Sequence, residues 1–289
     1  MVFFLKFNKK NNQYFCLSMK KYFYIIRLQF LGFRFHGWQR QEHHKTLQGH
    51  VEKTLRFVLG SGNTKVLGSG RTDARVSAND FPMELFAKNE ITDLDQFLID
   101  FNLNLPNDIK ALSIIETDDK FNIINNSKVK EYLYFFSFGT KNHPFAAPIL
   151  TCFYEKLDLK LMQKGAALFK GQHWFKHYCT KPTEFGNYNR EIIVSEIVEN
   201  TIYSANFFPE KTYVYRIKSR GFLRNQVRLI MGTLFRLGQG QISLDFIEKS
   251  LIEHNIDRPL PFVAPASGLI LYQVEFQDSN FYYSKNTKP

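Results

Sequence analysis

The chain has 289 residues, 44% of them hydrophobic, which suits one large domain or two modest ones with a real core. Its formal charge of +11 and isoelectric point near 9.4 favour a polyanionic partner, with a merely basic soluble protein as the plainer alternative. Cys16, Cys152 and Cys179 form neither a CxxC pair nor an even-numbered framework, and no apolar run reaches transmembrane length. A disulfide scaffold and a membrane helix are therefore disfavoured, and a reducing, cytoplasmic setting is expected.

Residues 1–18 carry three lysines and no acid, and their apolar run of four, Val2 to Leu5, is too short for a signal-peptide core. They are expected to be a disordered tail or to precede the true start at Met19. Without them +8 of the charge remains. Tyr22 to Phe30 is β-rich and aromatic and reads as a strand. The following loop mixes cations, aromatics and glycines: His36, Trp38, Gln39 and Arg40 lie within it. Such a mix suits contact with phosphates and bases, and an ordinary packed loop would look the same.

Thr46 is placed to cap a helix with apolar positions at Leu47, Val51, Leu55 and Val58. A short strand over Thr64 to Leu67 leads into Gly68-Ser69-Gly70-Arg71-Thr72-Asp73-Ala74-Arg75-Val76-Ser77-Ala78. The glycines permit a tight turn. If the segment is extended, Arg71 and Asp73, two apart, face one side and share one cleft. A surface turn with an exposed ion pair is the bland alternative.

Phe81 to Phe86 reads as a strand, and Thr92 and Asp95 mark the start of a helix buried through Leu94, Phe97, Leu98 and Phe101. Leu105-Pro106 ends it and opens a strand to about Ile115. Lys128 to Phe136 alternates, with Lys130, Tyr132, Tyr134 and Phe136 on one side. Asp158 caps a helix to about Phe169, and Lys211 to Ser219 alternates as a strand.

Phe222 to Leu237 is the longest expected helix, with a buried stripe of Val227, Ile230, Met231, Leu234 and Leu237. Arg228 borders this stripe and needs a carboxylate or a route to water. A helix over Ser243 to Glu253 and a strand over Leu269 to Phe276 complete the order. His173 and His177 lie four apart and share a face if helical, with Cys179 near, but they lack the glutamate and second cysteine pair of familiar zinc motifs, so no metal site is expected.

The pattern predicts an α+β fold, with sheets covered by helices on one face. The expected division falls in the Lys141-Asn142-His143-Pro144 loop. It gives an N-terminal half, 19–140, with the Asp73 turn, and a C-terminal half, 141–289, with the Arg228 helix.

Six blocks in order resemble the TruA-type tRNA pseudouridine synthases over about Met19 to Phe276. They are Phe35 to Gln41 with Thr46-Leu47-Gln48-Gly49; Gly70 to Ala78; Leu105 to Ile109; Lys130 to Tyr134; Gly221 to Leu234; and Ala264 to Leu269. The resemblance implies two similar α/β halves whose mainly antiparallel sheets join into one, with a central catalytic cleft. It also implies a homodimer and tRNA as partner, with no membrane, metal or cofactor.

The implied reaction turns uridine into pseudouridine in the anticodon stem-loop, at positions 38 to 40. The N1–C1′ bond breaks, and the uracil turns and rejoins through C5. By resemblance Asp73 is the catalytic carboxylate, Arg228 its ion-pair partner, and Tyr132 the aromatic that packs on the uracil and assists loss of the C5 proton. Arg71 fills the space of the extruded base or holds its phosphate. His36, Trp38, Gln39, Arg40, Arg75 and Arg224 complete the RNA-contacting set.

Two positions depart from the signature: Arg75 stands where the family has glycine, and Ser77 where it has histidine. If position 75 needs φ > 0, arginine there costs on the order of 1 kcal/mol. The departures leave open a paralogue that modifies another uridine, or one that binds tRNA without catalysis.

Overall fold

The computed structural model describes residues 21–60, 64–252, 260 and 262–276. The 1–18 segment lies outside them. Strand β1 (Tyr22–Phe30) is followed by helix α1 (Leu47–Val58), β2 (Lys65–Gly68), β3 (Ser77–Ala87), α2 (Leu94–Asn104) and β4 (Ile109–Thr117). Then come α3 (Ile123–Asn126), β5 (Ser127–Phe138), β6 (Thr151–Phe153), α4 (Leu159–Leu168), β7 (Gly171–Trp174) and β8 (Asn189–Glu199). The chain continues through β9 (Tyr213–Ser219), α5 (Gln226–Gly238), α6 (Leu244–Ile252) and β10 (Leu269–Phe276).

All ten strands share one sheet, ordered β4-β1-β3-β10-β5-β9-β8-β7, with β2 added to β3 and β6 to β5. Pairing is antiparallel except for β3 with β10 and β5 with β6. The expected α+β architecture is therefore present. β10 pairs with β5 along most of its length and with β3 at Ile270↔Ser77 and Leu271↔Ala78. That short pairing ties down the strand leaving the Asp73 turn.

Alternation on β5 decides which face is covered. Tyr134 and Phe136 join Met162 of α4, the apolar face of α5 and Ile247 of α6 in one core. Leu133 and Phe135 point the other way, into a smaller cluster beneath Ala146, Leu150, Phe207 and Phe208. A third core lies under α1 and α2, where Leu47, Val51, Leu55, Phe97 and Phe101 meet β1 and β3. Tyr132 packs at the boundary between the two helix-covered cores.

Local chemistry explains most helix starts. Thr46 accepts from Gly49 N at 3.3 Å, and Asp158 accepts from Leu161 N at 2.9 Å. At α2 the cap is Asp93, which accepts from Gln96 N at 2.9 Å, rather than Thr92. α5 starts at Gln226, four residues later than its periodicity suggests, because Arg224 and Asn225 form a turn in which Gln226 N donates to Leu223 O at 3.1 Å. His173 lies on β7 and His177 in a one-turn helix, so the two do not share a helical face. His177 is buried in the core. No helix among the described residues is long and apolar enough to cross a membrane.

Candidate active site

The Asp73 turn rests on a buried indole. Trp38 is only 2% exposed and packs on Phe81, with ring centroids 4.3 Å apart. A Cβ on Gly68 would lie 2.7 Å from both rings, so only glycine lets the strand end cross them. Trp38 N donates to Thr72 O at 3.3 Å, Ser69 N to Pro82 O at 3.0 Å, and Val76 N to Asp73 O at 3.2 Å. Trp38, expected on the RNA-contacting surface, is thus a core residue that carries the turn. Its flat apolar ring finds more partners inside than outside.

Opposite stands the turn before α5. Arg228 leaves the first turn of that helix and reaches Asp73, Nη1 to Oδ2, at 3.6 Å. Its Nε donates to Ala264 O at 2.8 Å, and Nη1 donates to Asn225 Oδ1 at 3.2 Å. The Asp73 side chain is 36% exposed, so water screening holds the static worth of the pair to about 1 kcal/mol. Its importance is orientation, since the guanidinium is fixed on one wall and faces the carboxylate on the other.

Between the two walls lies a cleft of about 710 Å³. Asp73, Tyr132 and Arg228 all line it, with His36, Gln39, Arg71 and Arg224. Arg71 and Asp73, two apart in the sequence, thus line the same cleft. Tyr132 meets Phe222 edge-on, with centroids 5.2 Å apart. Burial, and then the Asp73 charge, push its phenol well above the ordinary value, so it stays protonated at neutral pH.

Arg40 and Arg75 lie outside the cleft lining. Arg40 is exposed and paired with Glu52 at 3.2 Å. Arg75 is exposed, with its guanidinium 5.9 Å from the centre of the Phe33 ring. Its φ is +67°, a conformation that is strained for arginine and that glycine would adopt freely. Ser77 has a local task, because its hydroxyl accepts from Gly32 N at 2.9 Å.

Lys130 and Asn225 also line the cleft and were not singled out from the sequence. Lys130 Nζ donates to Ser69 O at 2.7 Å, tying β5 to the Asp73 turn, and burial lowers its pKa. The signal for Lys130 was available: it shares a strand face with Tyr132. Asn225 had no such signal, because an apparent helical period runs through it. The described residues hold no group of three or more His, Cys, Asp or Glu that could take a metal ion.

Residues 166–277 match the sequence model of a family described as tRNA pseudouridine synthase. The tRNA pseudouridine synthase A of Listeria monocytogenes serotype 4a is 30% identical over 256 residues, covering 88% of this chain and 99% of that protein. The tRNA pseudouridine synthase A 2 of Bacillus cereus is 31% identical over the same share of each chain.

Proposed function

This chain belongs to the tRNA pseudouridine synthase A family and is an isomerase that makes pseudouridine in tRNA; we propose that Asp73 is its catalytic carboxylate and that its target lies in the anticodon stem-loop, at positions 38 to 40. The observation that carries the assignment is the meeting of Asp73 and Arg228 at 3.6 Å across a cleft also lined by Tyr132.

The uridine must leave its stack to enter the cleft between the two walls, at a cost of a few kcal/mol. Arg71 and Arg224 line the cleft and supply positive charge for the flanking phosphates. Asp73, facing Arg228 at 3.6 Å, acts as nucleophile or base while the N1–C1′ bond breaks. The freed uracil is confined between Tyr132 and the walls, turns, and bonds to C1′ through C5. N1 gains a proton and C5 loses one, so no external reductant, oxidant or energy source is required. Tyr132 provides the flat packing surface for the uracil, and its protonated phenol stands close enough to Asp73 to feel its charge.

A cytoplasmic homodimer is part of the same reading, and light scattering of the purified protein at several concentrations tests the dimer. The arginine at position 75 favours one variant of the reading, in which the target is a uridine elsewhere in tRNA. The deciding assay uses unmodified tRNA transcripts tritiated at uracil C5. Tritium release by the wild type and none by Asp73→Ala supports the assignment, and product mapping gives the position. Tight binding without release from any host tRNA would overturn catalysis in favour of a binding protein.

A further inference from the structure

Asn225 gives up two stabilising arrangements at once. It occupies the N-cap of α5, where an asparagine side chain ordinarily accepts from a first-turn N–H, yet it makes no capping bond. Its φ is +59° and ψ +13°, left-handed rather than extended. A residue that forgoes local stability in this way is a candidate for a task elsewhere.

The task is visible in its partners. Arg228 has only donors, so the amide oxygen of Asn225 must face it, and Nη1 donates to that oxygen at 3.2 Å. The amide nitrogen is then turned toward Thr180 and donates to its Oγ1 at 2.8 Å. Thr180 is itself fixed, because its N–H donates to Arg224 O at 3.1 Å. Ala264 O holds the other edge of the guanidinium.

We propose that Asn225, braced by Thr180, is a positioning residue that aims the Arg228 guanidinium at Asp73. With the backbone left-handed, the amide meets Thr180 and Arg228 and makes no bond to the first-turn N–H groups that a normal cap would reach. The proposal rests on Arg228 being the partner of the catalytic carboxylate.

Asn225→Gly keeps the backbone conformation accessible and removes the amide. Asn225→Asp keeps an acceptor for Arg228, and Thr180→Val removes the brace. In single-turnover tritium release, Asn225→Gly is expected to slow the step about tenfold with tRNA affinity within about twofold. Asn225→Asp recovers most of that rate. Thr180→Val costs roughly threefold, and adding it to Asn225→Gly costs nothing more. Side-chain nitrogen NMR of Arg228, read without substrate, should show restricted Nη rotation in the wild type and Asn225→Asp, and free rotation in Asn225→Gly.

A wild-type rate with unchanged Arg228 signals in Asn225→Gly would overturn the proposal. So would an Asn225→Asp variant as slow as Asn225→Gly. If the wild type releases no tritium from any tRNA, the functional reading fails by itself, and the NMR comparison still decides whether Asn225 holds Arg228.

Discussion

The two walls of the cleft each turn on one left-handed residue, and they treat it differently. At Asn225 the residue type tolerates φ > 0, and the side chain works on both sides, toward Thr180 and toward Arg228. At Arg75 the residue type resists the conformation, and the side chain lies at the surface over Phe33. The backbone shape is kept in both places, although only one residue suits it. Geometry at Asp73 is therefore held by what surrounds the turn, namely Trp38, the bond from Ser69 N to Pro82 O, and the β3–β10 pairing. Geometry at Arg228 is held by side-chain bonds made directly to the guanidinium.

The strongest test of this contrast removes the Asp73 wall's chemistry. Asp73→Asn should lower tritium release at least about 10³-fold, while filter binding shows tRNA affinity nearly unchanged. Trp38→Ala attacks the support beneath that wall. It should cost about 3 to 5 kcal/mol and lower the thermal midpoint by roughly 10 °C, as read by calorimetry. A shift under 2 °C would mean that the turn does not depend on the core.

On the opposite wall, Arg228→Lys keeps the charge but cannot donate to Asn225 and Ala264 in a planar fork. Its rate should fall about 10²-fold with little change in midpoint. The smallest effect is expected at the strained position. Arg75→Gly should gain about 0.5 kcal/mol and raise the midpoint by roughly 1 to 2 °C, whereas Arg75→Ala, also disfavoured at φ > 0, should not.

What could be read from the sequence follows the same division. Asp73 and Arg71 were legible because two-residue spacing on an extended segment has one geometric meaning. Arg228 was legible as a cation out of place beside an apolar stripe, and Tyr132 mainly through resemblance. Trp38 was misplaced because a loop of aromatics and cations has the same composition whether it faces RNA or the core. Only the packing of Gly68 against the indole tells these apart.

Strand β8 escaped notice because its alternation is uneven: Ile193 is exposed between buried Ile192 and buried Ser195. The register shift opposite β9 between Ile192 and Val194 explains the break. The turn at Asn225 was hidden for a different reason. Helical spacing of apolar residues continues through Phe222 and Leu223, which pack on the same core without being helical.

The position of β10 has a consequence for the birth of the enzyme. β5 ends at Phe138 and its neighbour β10 begins at Leu269, so roughly 130 residues must be polymerised between them, on the order of 10 s of translation. Throughout that interval the 127–134 edge of β5 is bare, and an uncovered edge invites pairing with other chains. The ribosome thus delivers Asp73, Tyr132 and Arg228 before it delivers the strand that seams their sheet together. A nascent chain carries all three side chains before the strand that joins the two sides of their sheet exists.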